Sequence, residues 1–141
     1  MKLKVKKLRE DVRLPTKGHP GDAGIDFYTV EDVRFLPKAQ TKVSTGVAIE
    51  IPEGYAGFVW GKSSISFIKG LEKMGGLIDA GYRGEVFFSF YNTSNIEVVI
   101  EKGQKIGQIV IQKFEDCEIV EEKELTEAVR GDRGFGSTGT I

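Results

Sequence analysis

Residues Thr41–Ile51 read TKVSTGVAIEI, and this order decides the kind of fold the chain adopts. Val43, Thr45 and Val47 alternate with Lys42, Ser44 and Gly46. That is the period of two by which a strand sends successive side chains to opposite faces. Working outward, Ile25–Val30, Tyr55–Trp60, Glu85–Tyr91, Ile96–Ile100 and Lys105–Phe114 are further runs rich in Val, Ile, Phe and Tyr. Glycine supplies 18 of 141 residues, against a usual share of about 7%, and most of these glycines punctuate the runs. Helix signals are few. Ser63–Gly70 reads as two turns capped by a serine and stopped by glycine, and Leu125–Val129 as one more turn. Many short strands with turn signals predict an all-β fold, a sandwich or closed barrel.

The opening MKLKVKKL alternates lysines with Leu3, Val5 and Leu8, as a strand with one wet face does. It lacks the apolar core of a targeting signal, and no run approaches transmembrane length. A chain of 141 residues is expected to form one domain, burying roughly 68–70% of its extended surface. Lys plus Arg number 20 and Asp plus Glu 21, so no overall field draws the chain to nucleic acid or a membrane. Cys117 and His19 each stand alone. Internal disulfides, cysteine zinc sites and multi-histidine sites are thereby excluded, and the composition suits the cytoplasm. The expected boundary lies near Glu122: residues 1–122 form the core, and 123–141 a charged connector with a glycine-rich end.

Four internal segments and the tail exceed what a β-sandwich requires. Asp22 and Asp26 flank a glycine turn at a strand start, which suits an Asx-turn hairpin or an acidic site. Gly61-Lys62-Ser63-Ser64 places a cation and two hydroxyls where a helix begins, an N-cap or an anion site. Gly75-Gly76-Leu77-Ile78-Asp79-Ala80-Gly81-Tyr82-Arg83-Gly84 suits a β-hairpin able to approach a flat ligand, with Asp79 a turn former or a partly desolvated base. Lys102–Gln108 reads as a turn leading into a strand. In the tail, residues 134–139 fit G-x-G-x-x-G, but only Thr140 and Ile141 follow. A dinucleotide fingerprint needs a helix there and an acid about 20 residues on, so that reading fails.

Taken in order, AGID, KSS, GLIDAGYRG, KGQKIGQ and RGDRGFGSTG resemble the five motifs of the trimeric dUTP pyrophosphatases, the dUTPases. The resemblance runs from about Pro20 to Thr140. It implies a jelly-roll subunit, a homotrimer with active sites shared between subunits, and Mg²⁺-dependent hydrolysis of dUTP to dUMP and pyrophosphate. Such hydrolysis limits uracil incorporation into DNA and supplies dUMP. By the same resemblance, Asp79 matches the carboxylate that deprotonates the attacking water, and Asp26 the acid that holds the metal through its waters. Tyr82 matches the ring under the deoxyribose, and Gly76 the backbone that reads the uracil edge. Lys62, Ser63, Ser64 and Gln108 match groups that meet phosphate or water. In the tail, Arg130, Ser137 and Thr138 match γ-phosphate ligands, Phe135 a ring that stacks on uracil, and Gly136 part of the backbone that wraps the triphosphate. The tail is thus expected to act as a lid.

Three positions depart from the pattern: Lys62 stands for a usual arginine, Arg133 for a frequent glycine, and Gly81 for a frequent aspartate. Gly81 and Gly-Lys-Ser-Ser lean toward the dCTP deaminases, which share the fold. That branch carries a catalytic glutamate after the hairpin, and the aligned position here is Ser89; its motif arginine aligns with Phe67. Without that acid, deamination has no proton shuttle. A non-catalytic trimeric binding module is the other alternative, and it would need neither Asp79, Tyr82 nor a complete tail.

Overall fold

The computed structural model describes residues 1–129 together with Gly131 and Asp132. Ten strands and one helix follow in chain order: β1 Lys4–Lys7, β2 Ile25–Tyr28, β3 Val33–Phe35, β4 Gln40–Glu50, β5 Tyr55–Trp60, α1 Ser63–Lys69, β6 Leu71–Met74, β7 Leu77–Ile78, β8 Glu85–Asn92, β9 Val98–Ile100 and β10 Lys105–Lys113. Two four-stranded sheets, ordered β1-β4-β8-β6 and β2-β10-β5-β7, are joined by the small pair β3-β9. All pairings are antiparallel, and the architecture is the predicted jelly-roll-like sandwich.

The core lies between the sheets because each contributes one apolar face. Along β8, Val86, Phe88 and Phe90 are buried while Glu85, Phe87 and Ser89 are only half-buried, the period of two in full. Phe88 meets Phe27 of the opposite sheet with ring centroids 5.7 Å apart, and Phe35 meets Phe90 edge-on at 6.1 Å. In β4 the alternation holds only to Thr45; Gly46 to Ile49 are all buried. The register shifts between Ser44 and Ala48, where the Glu85 carboxylate accepts the Gly46 N–H at 2.7 Å and the Ser44 hydroxyl as well. The bulge frees β4 from strict pairing, and Val12 and Val30 pack over Gly46.

Several sequence expectations change. The segment from Gly75 to Gly84 is not a hairpin: β6 pairs with β8 in one sheet and β7 with β5 in the other. Gly75 (φ 72°) and Gly76 (φ 151°) turn the chain from sheet to sheet, through backbone angles that a side chain would oppose. Helix α1 forms and ends at Gly70 in the left-handed conformation, as expected. Its N-cap is Lys62 rather than a serine, with no side-chain cap, because an ammonium has no acceptor to offer the helix N–H groups; the lysine donates instead to Asp26. Residues Leu125–Val129 form no helix; they are exposed, and so short a segment without a packed face is marginal in water. Strand β9 starts at Val98 rather than Ile96, since the Asn92 amide donates to the Ile96 carbonyl at 2.8 Å and holds the approach as a turn. Strand β2 ends at Tyr28, where Thr29 turns its backbone N–H to Gln104. Beyond Phe114, residues 115–129 are exposed and contain neither helix nor strand.

Candidate active site

The described candidate residues fall mainly into two pockets that share no lining residue. The first, of about 430 Å³, is lined by Gly24, Asp26, Lys62, Lys105, Gln108 and the loop from Gly18 to Ala23. Asp26 is at its floor, 4% exposed on strand β2. Lys62 Nζ reaches Asp26 Oδ1 at 2.6 Å from the helix side, and Lys105 Nζ reaches Oδ2 at 2.7 Å from strand β10. Burial pushes the Asp26 carboxyl up, but the hydrogen bonds and charges of Lys105 and Lys62 outweigh it and hold the group below the ordinary carboxylate value. Lys105 is raised in turn by its hydrogen bond to Asp26. Gln108 lies opposite Asp26 in the strand register and donates to the Gly61 carbonyl at 3.2 Å. A side chain at Gly24 would occupy the space of the Gln108 amide. Ser63 and Ser64 stand exposed on the first turn of α1, next to Lys62.

With two ammonium groups on one carboxylate, the Asp26, Lys62 and Lys105 group carries a net positive charge beside amide and hydroxyl donors. That chemistry suits a polyphosphate. Among the described residues, no three His, Cys, Asp or Glu side chains converge to hold a bare cation. Asp26 could meet a cation only through water and together with an anion, since each of its oxygens already accepts a lysine. Magnesium, which dehydrates reluctantly, suits contact through water.

The second pocket, of about 230 Å³, is lined by Leu77, Ile78, Asp79, Tyr82, Glu85, Val86 and Phe87. Asp79 follows β7 in a turn closed by its own carbonyl, which accepts the Tyr82 N–H at 3.1 Å. The sequence suggests a turn former or a partly desolvated acid; Asp79 forms the turn and is exposed, with nothing among the described residues covering it. The Tyr82 hydroxyl donates to the Glu85 carbonyl at 2.8 Å. The ring thereby folds over Gly84, where a Cβ would lie 2.5 Å from the hydroxyl oxygen. Gly76 borders a third pocket with Leu77, Ile78 and Val59, and its carbonyl accepts the Val59 N–H at 2.8 Å.

Asp26, Lys62 and Gln108 are thus brought together, as are Asp79 and Tyr82, but the two groups are kept apart. Arg130, Phe135, Gly136, Ser137 and Thr138 lie outside the described residues. The sequence reading passed over Lys105, although its motif KGQKIGQ was singled out, and over Gly84 as the seat of the Tyr82 ring.

The fold is thus an antiparallel sandwich with a pocket built on a lysine-clamped carboxylate and a separate carboxylate–tyrosine pocket. Comparison with known proteins gives the family. Residues 10–139 match the dUTPase family. The deoxyuridine 5′-triphosphate nucleotidohydrolase of Hydrogenobaculum sp. (strain Y04AAS1) is 46% identical, over 99% of both chains. The dUTPase of Staphylococcus bacteriophage 80alpha with dUPNHPP superposes with a TM-score of 0.91 at 31% identity, covering 98% of each chain. A variant dUTPase from phage phi11 of S. aureus, whose structure details the coordination of a structural Mg(II) ion, gives a TM-score of 0.81 at 29% identity, over 88% of this chain and 98% of that one. The chain belongs to the dUTPase family.

Proposed function

We propose that this chain is a dUTP diphosphatase that hydrolyses dUTP to dUMP and pyrophosphate, keeping uracil out of DNA and supplying dUMP. The observation that carries the assignment is the pairing of a lysine-clamped acid pocket with a separate Asp79–Tyr82 pocket in a chain of this family. Lys62, Ser63, Ser64 and Gln108 bind phosphate oxygens and fix the triphosphate in line with the attacking water. Asp79 orients that water and takes its proton. The Tyr82 ring packs under the sugar and leaves no room for a 2′-hydroxyl. The Gly76 backbone reads the uracil edge. Arg130, Ser137 and Thr138 bind the γ-phosphate, Phe135 stacks on the base, and the backbone at Gly136 wraps the triphosphate. Asp26 would hold a Mg²⁺ ion through water, and the ion would supply neutralisation of phosphate charge.

The working form is a homotrimer with sites shared between subunits. Two observations support this: the pockets share no residue within one chain, and Trp60, Leu77 and Tyr82 leave apolar surface exposed beside them. Residues 1–122 are the core and 123–141 the connector and lid. A cytoplasmic location belongs to the same proposal, in keeping with an exposed, free Cys117; among the described residues no helix is long and apolar enough to cross a membrane. The deaminase alternative finds no acid at its key position, where Ser89 accepts a hydrogen bond from Gln40 at 2.9 Å.

Incubation with dUTP, dCTP, dTTP and UTP plus Mg²⁺, with nucleotides and pyrophosphate resolved, tests the assignment. Release of pyrophosphate and dUMP from dUTP alone is expected. Release of ammonia from dCTP, or no turnover of any substrate, would replace it with deamination or a binding module.

A further inference from the structure

Lys105 and Gln108 are three residues apart on β10, a spacing that sends side chains to opposite faces of a regular strand. Here both line the same pocket. The cause is a bulge: Lys105 pairs with Tyr28 and Gly107 with Phe27, so Ile106 is an extra residue on β10 and the alternation resets. The core face gains from the same shift. Ile106 and Ile109, also three apart, are both fully buried, and Gly107 lies flat against the Phe88 ring. The bulge therefore re-aims one lysine from the rim of the sheet to the carboxylate at the pocket floor.

We propose that Lys105 is a polyphosphate-binding residue of this site, held ready by Asp26 and donating to phosphate oxygens when the substrate arrives; the proposal rests on the dUTP diphosphatase reading. An ammonium has three donors, and the contact with Asp26 at 2.7 Å engages one of them. Lys105 is also the more accessible of the two clamping lysines, with 43% of its side chain exposed against 24% for Lys62. Lys62 and Lys105 share the single buried carboxylate of Asp26, and the more exposed Lys105 presents its ammonium to an arriving polyphosphate. Asp22 and His19 also line the pocket, so Asp22 adds a second carboxylate there; it accepts the His19 backbone N–H at 2.8 Å and contacts neither lysine. The competing role is that of a counterion serving only to keep Asp26 buried.

Binding of three probes separates the two roles: inorganic tripolyphosphate, a non-hydrolysable dUTP analogue with Mg²⁺, and dUMP, each titrated into wild type, Lys105→Met and Lys105→Arg. Lys105→Met should weaken tripolyphosphate and the analogue by ~10-fold or more, the scale of one charged hydrogen bond. The same variant should change dUMP affinity by less than ~2-fold, and Lys105→Arg should restore most of the loss, since it keeps the charge. Equal weakening of all three probes, or of none, overturns the proposal. Amine acetylation of the wild-type protein gives a measurement independent of variant folding: tripolyphosphate should slow modification of Lys105, and unchanged labelling also overturns it. A wild-type protein that binds tripolyphosphate but not the analogue would refute the nucleotide assignment, while protection of Lys105 would still support its phosphate role.

Discussion

Lys62 Nζ stands 2.6 Å from Asp26 Oδ1, tying the N-cap of helix α1 to the second strand. This lysine is therefore engaged within its own chain. A single ammonium makes this contact as a point charge, and Lys105 takes the other carboxylate oxygen. Two cations on one buried acid link strand, helix and strand, and this cluster contributes to the response to pH.

That response has a definite sign. Asp26 is held below the ordinary carboxylate value despite its burial, and Asp11 is brought down to about 2, first by its hydrogen bond from Lys102 and then by that from Arg9. A carboxylate with a lowered folded-state pKa stabilises the fold above its unfolded value of about 3.9, and this contribution is lost as pH falls through the folded value. Lys105, raised by Asp26, contributes below its unfolded value of about 10.4 and loses that contribution as pH rises through the higher folded value. Urea unfolding across acid pH should show that Asp11→Asn flattens the loss of stability between about 4 and about 2. Asp26→Asn should flatten it too while lowering stability at neutral pH, because two lysines then face each other without their acid. Unchanged pH dependence in both variants would mean that neither cluster contributes.

Asp79→Asn keeps the size of the side chain and removes the base. Turnover of dUTP should fall by at least ~10²-fold, while affinity for a non-hydrolysable analogue stays within ~3-fold, less than one neutral hydrogen bond is worth. Steady-state kinetics and calorimetry measure the two quantities. Near-normal turnover would remove Asp79 from the mechanism.

The Tyr82 ring depends on Gly84, where an added Cβ would come within 2.5 Å of the hydroxyl oxygen. Gly84→Ala should displace the ring and lower the preference for dUTP over UTP by ~10-fold, or about 1.4 kcal/mol of discrimination. The ratio of kcat/KM for the two nucleotides reports this separately from any loss of stability. A preserved ratio would show that sugar choice lies elsewhere.

A shared site predicts complementation. Asp79→Asn chains mixed with chains truncated before Arg130 should regain hydrolysis that neither has alone, because some mixed sites receive an intact Asp79 and an intact tail. Mixed oligomers that form without any recovery would assign the whole site to one subunit.

Residues 115–129 are exposed and without helix or strand, so the last 12 residues, Arg130–Ile141, follow a segment that adds no strand to either sheet. Their deletion should leave the melting temperature within about 2 °C, a change of less than ~1 kcal/mol for a domain of this size. Hydrolysis of dUTP should nevertheless drop severely. Full activity after deletion would reduce the tail to an ordinary terminus.

Much of this molecule is legible in its sequence because its signals are local. The period of two in Glu85–Tyr91, and the glycine that stops the helix at Gly70, state the conformation of their own neighbourhoods. Asp26, Asp79 and Tyr82 could be singled out because each lies within a dense, distinctive run of residues. The misreadings arise where partners are distant. The run Gly75–Gly84 suggests a hairpin locally, but β7 pairs with β5 and β8 with β4 and β6, in different sheets. A serine looks like the natural helix cap, but the helix begins after an extended Lys62, whose side chain meets Asp26, 36 residues away.

Alternation, turn chemistry and motif order determine from the sequence alone that the chain is an antiparallel β-protein of the dUTPase kind, since each is a property of a few consecutive residues. Only the tertiary structure decides that Lys105 joins Lys62 at Asp26, and that the phosphate-type pocket stands apart from Asp79 and Tyr82. The bulge at Ile106 is the reason for the first. One extra residue reverses which face every later side chain of β10 occupies, and its placement is set by the pairing of β10 with β2 and by the packing of Gly107 on Phe88, contacts made by residues far apart in the chain.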